Sequence, residues 1–271
     1  MGEEPYKLGG KMNYETLVFE LDNSIGILTL NVPQKLNAHT KRMRQELLQF
    51  WSERQSDRDG CRVIIMTGAG RAFCAGSDVD EMTEENDIFG KGNAEEIYRF
   101  QDEIARVVLL MRASPQPIIA AVRGYAAGGG FSFTLAADIR IADPSAKFVA
   151  SYINVGLSGA DMGSSFHFPR EVNLGFAAEY LYTGDVMDAE TAKRIGFVNY
   201  VVQPEDLMQK AKGLASKMTK KSVLGLRMTK EAINRNIACT SLETAVQLEN
   251  RNQVICLATK PIVNPFMDRR K

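Results

Sequence analysis

The stretch Arg123-Gly124-Tyr125-Ala126-Ala127-Gly128-Gly129-Gly130-Phe131-Ser132-Phe133 follows an apolar run, Pro117-Ile118-Ile119-Ala120-Ala121-Val122, whose length suits one buried strand. Behind it, Thr134-Leu135-Ala136-Ala137-Asp138 has small-residue helical character, and Ile139-Arg140-Ile141-Ala142 reads as another strand. Three successive glycines between strand and helix clear side chains from one spot, so backbone can approach a ligand closely. They also leave the first amides of the new helix unpaired, a site for a negatively charged oxygen. The plain alternative is a tight turn. The cluster lacks the Gly-Lys-Ser/Thr ending of a P-loop and the spaced glycines of a dinucleotide site, so turn and anion site both stay open.

A second stretch bears on that choice. Arg62-Val63-Ile64-Ile65-Met66-Thr67-Gly68 reads as a buried strand, and it leads into Ala69-Gly70-Arg71-Ala72-Phe73-Cys74-Ala75-Gly76-Ser77-Asp78-Val79-Asp80-Glu81-Met82. Upstream lies Asn31-Val32-Pro33-Gln34-Lys35-Leu36-Asn37-Ala38, and near the C-terminus Leu226-Arg227-Met228-Thr229-Lys230-Glu231-Ala232-Ile233-Asn234. Together, in this order, these segments resemble the enoyl-CoA hydratase/isomerase (crotonase) family from about Tyr14 to the C-terminus. The resemblance implies an α/β fold, a spiral of ββα turns with a C-terminal helical trimerisation region, as a homotrimer or dimer of trimers. It implies a disordered lead-in over 1–12, a spiral core over 13–204 and a helical region over 205–271.

The family's shared device is a pair of backbone amides that bind the thioester oxygen as it becomes an enolate. Carried onto this chain, the donors of that oxyanion hole are Ser77 N–H and Gly129 N–H. The Coenzyme A contacts fall on Lys35, Leu36, Ala38, Arg71, Ala72, Ala75, Asp78 and Val79, with Phe266 and Arg269 in the tail. Taken singly, Lys35 and Arg269 are ordinary solvated charges.

The reactive positions depart from the family pattern. Where a hydratase of the family has its two glutamates, this chain has Ser132 and Tyr152. Two carboxylates can position and activate a water, one taking its proton while the other supplies one to carbon. Serine has no useful pKa for this, and tyrosine, near ~10, serves as an acid or a strongly perturbed base. One carboxylate stands nearby, in Gly156-Leu157-Ser158-Gly159-Ala160-Asp161-Met162-Gly163. Asp161 reads as the N-cap of a helix running toward Pro169-Arg170; two branches of the family carry a catalytic aspartate at the matching position. The family's dehalogenases take a base from a histidine on the preceding helix, which falls on Ala105 here, with Glu103 nearby. Of the two histidines, His39 is expected at the surface and His167 packed or at an interface, facing away from Asp161.

Bulk properties narrow the partners. The chain has 271 residues, and Lys+Arg and Asp+Glu both number 33. A zero net charge argues against nucleic acid or an anionic membrane as the main partner. No apolar run approaches the ~20 residues of a membrane helix, and the acidic start Met1-Gly2-Glu3-Glu4-Pro5 has no signal-peptide core. Cys61, Cys74, Cys239 and Cys256 form no close pair, so neither a metal ligand set nor a disulfide framework is expected. A reduced, cytoplasmic setting follows as the expectation.

Among the remaining segments, Leu17–Leu21 and Ile25–Leu30 flank Asp22-Asn23-Ser24 as a hairpin. Thr40 to Glu53 carries Met43, Leu47, Leu48 and Trp51 on one helical face. The polar stretch 83–93 reads as a mobile loop, followed by a helix over 94–112. Phe148 to Tyr152 and Phe197 to Val202 read as strands, Asp188 as an N-cap, and the chain beyond Glu205 as helices.

The leading expectation is an acyl-CoA enzyme that moves a proton through a thioester enolate, by double-bond isomerisation or hydration. Asp161 is then the acid/base, with Tyr152 and Ser132 lining the pocket. Coenzyme A arrives as part of the substrate, and no other cofactor or metal is expected. One alternative is hydrolysis of a thioester or of a C–C bond beside a carbonyl by Asp161. Another is a CoA-ester-binding paralogue without turnover.

Overall fold

The computed structural model describes residues 14–56, 60–78 and 92–259; the expected lead-in lies outside them. The chain divides into two compact units at Lys220/Lys221. The first unit begins with the hairpin β1 (Leu17–Asp22) and β2 (Ile25–Leu30), turned by Asn23 and Ser24 at φ 48° and 68°. Helix α1 (Lys41–Glu53) follows, its N-terminus capped by the Thr40 side chain, which accepts from Met43 N–H. Strand β3 (Val63–Gly68) and helix α2 (Ala94–Ala113) come next. Asn93 and Glu96 close a reciprocal capping box on α2.

The decisive stretch then gives β4 (Ile118–Val122), β5 (Tyr125–Ala127) and α3 (Gly129–Ala136). Strands β6 (Ile139–Ala142) and β7 (Lys147–Val149) lead into α4 (Ser164–Glu171) and α5 (Leu174–Thr183). Strand β8 (Met187–Asp188), α6 (Ala189–Arg194), β9 (Tyr200–Val201) and α7 (Leu207–Thr219) complete the unit. Strand, strand and helix thus recur along the chain, the spiral expected from the sequence. Asp188 caps α6 as expected, accepting from Thr191 N–H at 2.7 Å.

Two sheets result. The larger runs β1-β2-β3-β4-β6-β9, antiparallel only at β1/β2, and the smaller runs β5-β7-β8. Alternate residues of the large sheet face opposite sides. Ile64, Met66, Ile118, Ala120 and Val122 join the main core with Phe73, Phe131, Phe133 and α1. Val63, Ile65, Ile119, Ala121 and Ile141 instead pack under Leu207, Ala211 and Ala215 of α7. Both faces are covered, which is why these strands read as unbroken apolar runs. Two expected strands are shorter than their apolar runs. Residues 148–152 contribute only the end of β7, because Tyr152 turns helical (φ −57°, ψ −42°) into a single 3-10 turn, Ile153–Val155. Of 197–202, only Tyr200 and Val201 pair, on β6.

Arg140 anchors α3. Its guanidinium donates to the carbonyls of Thr134, Ala137 and Phe197 at 2.9, 3.1 and 2.6 Å, so it satisfies the C-terminal end of the helix. It also lies 3.0 Å from Glu171. Burial pushes the Glu171 carboxyl up to about 7 against the pull of Arg140. A raised folded-state pKa contributes stability that is complete below the unfolded value and lost as pH rises through the folded one. Wild-type protein is therefore expected to lose stability, on the order of 3 kcal/mol, between pH ~4.5 and ~8 through this group. Urea midpoints at both pH values should fall less in Glu171→Gln than in wild type; equal falls would refute the assignment.

The second unit contains α8 (Val223–Asn236) and α9 (Leu242–Thr259). Arg251 bonds both oxygens of Glu231 at 2.9 Å, and Asn252 Nδ2 donates to Met228 O at 3.1 Å. These contacts join the two helices.

Candidate active site

Four segments lie side by side and build the site from backbone. Asn37 staples the first to the second: its Oδ1 accepts from Val32 N–H at 2.9 Å, and its Nδ2 donates to Ala69 O and Ala72 O at 2.9 and 2.8 Å. This holds Leu36 and Asn37 in the left-handed region, at φ 53° and 55°, a conformation that non-glycine residues keep only when the surroundings enforce it. Ala75 N–H donates to Leu36 O at 3.0 Å and His39 N–H to Gly76 O at 2.8 Å. On the far side, Cys74 N–H donates to Tyr125 O and Ala127 N–H to Cys74 O, both at 2.9 Å. Gly128 N–H then reaches Val149 O at 2.9 Å.

This seam aligns the peptides Gly76–Ser77 and Gly128–Gly129. A Cβ on Gly76 would lie 3.7 Å from Gly128 Cα. Gly128 sits at φ 51°, ψ −119°, a backbone state that suits only glycine, and Gly129 opens α3. Among the described residues, neither Ser77 N–H nor Gly129 N–H meets an acceptor. Two adjacent amides without an acceptor, one of them at a helix N-terminus, could both donate to one negatively charged oxygen.

The imidazole of His39 touches both donor segments. Its Nε2 is 3.4 Å from Ser77 Oγ and would be 2.4 Å from a Cβ on Gly129. The expected surface position is wrong: His39 is 0% exposed, because the missing side chain of Gly129 leaves a slot that the ring fills. Burial, reinforced by Arg44, lowers its pKa to about 3, so the ring is neutral. His167 is half-buried against Phe166, and its pKa is lowered to about 4 by burial and then by Arg112.

The hydroxyls of Ser132 and Tyr152 are buried and bonded to each other, and Tyr152 donates to Gly128 O at 2.7 Å. Burial raises the phenol above its usual range, with the Asp161 charge adding to the effect and the Ser132 bond opposing it. Neither hydroxyl is suited to take up a proton.

Asp161 is not on the helix. Helix α4 starts at Ser164 with Gly163 as N-cap, so the expected capping role is not present. The chain instead reverses at Met162, φ 46°. Ser164 N–H donates to Asp161 O at 2.8 Å and Asp161 N–H to Ser164 Oγ at 3.0 Å. Asp161 Oδ1 accepts from Met162 N–H at 2.7 Å and from Gln101 Nε2 of α2. Its Oδ2 has no protein donor among the described residues. The carboxyl is half-buried, and burial raises its pKa against the two hydrogen bonds.

Gln101 was not among the sequence candidates. Its signal was present: it continues the buried stripe of Ile104, Val108 and Met111 one turn toward the N-terminus of α2. Of the expected CoA contacts, Lys35, Leu36 and Ala38 lie on the segment stapled to Arg71, Ala72 and Ala75. Lys35 Nζ is 2.5 Å from buried Asp78, and Arg71 is exposed. Val79, Phe266, Arg269 and the loop over 83–91 lie outside the described residues. Among the described residues, no cluster of His, Cys, Asp and Glu could hold a metal, and no helix is long and apolar enough to cross a membrane.

A sequence model described as enoyl-CoA hydratase/isomerase matches residues 20–271. The chain is 31% identical to the short-chain-enoyl-CoA hydratase of Clostridium acetobutylicum, over 96% of this chain and 97% of that one. It is 33% identical to the crotonyl-CoA hydratase of Syntrophomonas wolfei, over 96% and 98%. In structure it is similar to the enoyl-CoA hydratase of Mycobacterium smegmatis, with a TM-score of 0.85, 30% identity and coverage of 94% and 97%.

Proposed function

The chain belongs to the enoyl-CoA hydratase/isomerase family, and we propose that it moves a proton on an enoyl-CoA thioester through an enolate held by Ser77 N–H and Gly129 N–H. The observation that carries this reading is the pair of adjacent unpaired amides, together with one half-buried carboxylate, Asp161, kept in place by Gln101. As a proton leaves the carbon beside the thioester, negative charge builds on the carbonyl oxygen. Two preorganised amides stabilise that charge without reorganising, each worth roughly 10²–10³ in rate where such donors have been removed. Asp161 takes the proton and returns it at the other end of the allyl system.

Double-bond isomerisation is favoured over hydration. Hydration needs a second group to activate water, and the hydroxyls of Ser132 and Tyr152 are already committed to each other and to Gly128 O. The CoA moiety is assigned to Lys35, Leu36, Ala38, Arg71, Ala72, Ala75, Asp78 and Val79, with Phe266 and Arg269 from the tail.

Incubation with crotonyl-CoA and a 3-enoyl-CoA in deuterated water tests the reading. Deuterium uptake beside the carbonyl and double-bond migration are expected, with little 3-hydroxyacyl product. Tight binding of both esters with neither exchange nor migration would overturn it. Because the base must be ionised and its pKa is raised above 3.8, the low-pH limb of kcat/KM should lie above the ordinary aspartate range. A rate independent of pH from 4 to 8 would count against Asp161 as the base.

A further inference from the structure

We propose that Tyr152 is a positioning residue for the oxyanion site, acting by holding the Gly128 carbonyl so that the Gly129 N–H faces the substrate. This rests on the reading of Ser77 and Gly129 as oxyanion donors and assigns a task to a side chain standing where a catalytic acid would be expected.

The argument begins with the peptide plane. In a trans peptide the carbonyl of one residue and the N–H of the next point in opposite directions, so whatever holds Gly128 O also aims Gly129 N–H. For the other donor, Gly76 O accepts from His39 N–H at 2.8 Å, a backbone bond inside the seam. For Gly129, the plane lies between two residues without Cβ, and side-chain sterics do not oppose its rotation. Gly128 O accepts Ser132 N–H at 3.0 Å, the first bond of α3, and Tyr152 O–H at 2.7 Å. The Ser132 amide supplies a single bond along the helix axis; the buried phenol supplies a second, from another direction. Ser132 O–H completes the pair by donating to the Tyr152 phenol oxygen, whose own hydrogen goes to Gly128 O. Tyr152 is only 6% exposed and lies beside the same glycine, its Cε1 3.8 Å from where a Gly128 Cβ would be. A donor that is aimed in advance costs no reorganisation when charge develops.

The test compares wild type, Tyr152→Phe and Ser132→Ala. Each variant removes one hydroxyl from the same buried pair, but only the first removes the donor to Gly128 O. The probe is the thioester carbonyl stretch of bound crotonyl-CoA, read by isotope-edited infrared difference spectroscopy, with kcat and KM for exchange measured alongside. Wild type and Ser132→Ala are expected to move the stretch to lower wavenumber. Tyr152→Phe is expected to lose most of that shift and to lower kcat about 10–100-fold with a smaller change in KM. If Tyr152→Phe keeps the wild-type shift and kcat, the positioning role is refuted while the oxyanion site stands. Equal losses in both variants would mean that general disturbance of the buried pair is responsible, which also refutes it. No shift in wild type would overturn the oxyanion reading itself, and the positioning role with it. A thioether analogue without the carbonyl should bind all three proteins alike; weaker binding to Tyr152→Phe alone would assign the residue to pocket shape.

Discussion

Asp161→Asn is expected to reduce deuterium exchange into an enoyl-CoA by about 10²–10⁴-fold, the contribution of a positioned acid/base. The amide has nearly the shape of the carboxyl. Its oxygen can still accept from Met162 N–H and Gln101 Nε2, the two donors that Oδ1 meets in the wild type. What disappears is the capacity to hold a proton at the substrate carbon. Stability should not fall at pH 8, because burial opposes the charged form of Asp161 in the native protein and the substitution removes that charge. CoA-ester affinity should change little, since the amides of Ser77 and Gly129 are untouched. The measurement is exchange at pH 8 with a melting curve on the same preparations. Exchange at the wild-type rate would remove Asp161 from the mechanism, and a large drop in melting temperature would recast it as structural.

Gly130→Ala is expected to disrupt the fold around the site, with a sign opposite to helix propensity. In an ordinary helix, alanine is favoured over glycine by about 1 kcal/mol. Here the added Cβ would lie 2.2 Å from Cys74 O, 2.8 Å from Cys74 Cβ and 3.0 Å from Cys74 C. Cys74 cannot yield, because its N–H and C=O are both bonded, to Tyr125 and Ala127. Accommodation would require the two loops to part, separating the Gly76–Ser77 and Gly128–Gly129 peptides. A loss of at least ~3 kcal/mol, with loss of enolate chemistry, is the expected outcome, in the range of severe overpacking. Gly213→Ala in α7 is the control. Its Cβ would meet nothing within 4 Å, so a gain of ~0.5–1 kcal/mol is expected. Urea denaturation of both variants decides the matter: a Gly130→Ala protein as stable as wild type would show that the seam is not closed at this point.

These outcomes separate what local sequence carries from what it does not. The repeating strand, strand and helix, the Asp188 cap and the apolar faces of α1 and β3 follow from periodicity and turn chemistry, which act over a few residues. The three glycines and the loop around Phe73 mark the segments of the candidate site. The partner of Asp161 was not legible in the same way. Gln101 is separated from it by 60 positions, and only the crossing of α2 past the 158–163 loop brings them together. Nor does any local pattern distinguish His39 at the surface from His39 sealed against Gly129.

The sequence by itself determined the order of the motifs and the family they resemble, because both are written in residue type and short-range spacing, and the fold class was implied by that resemblance. Only the tertiary structure decided that Asp161 stands before its helix rather than capping it, and that the Tyr152 hydroxyl is bonded to the Gly128 carbonyl and the Ser132 hydroxyl to Tyr152 rather than open to the pocket. The physical reason is that a hydrogen bond is satisfied by whichever donor the fold brings within about 3 Å. That proximity is set by packing of segments far apart in the chain.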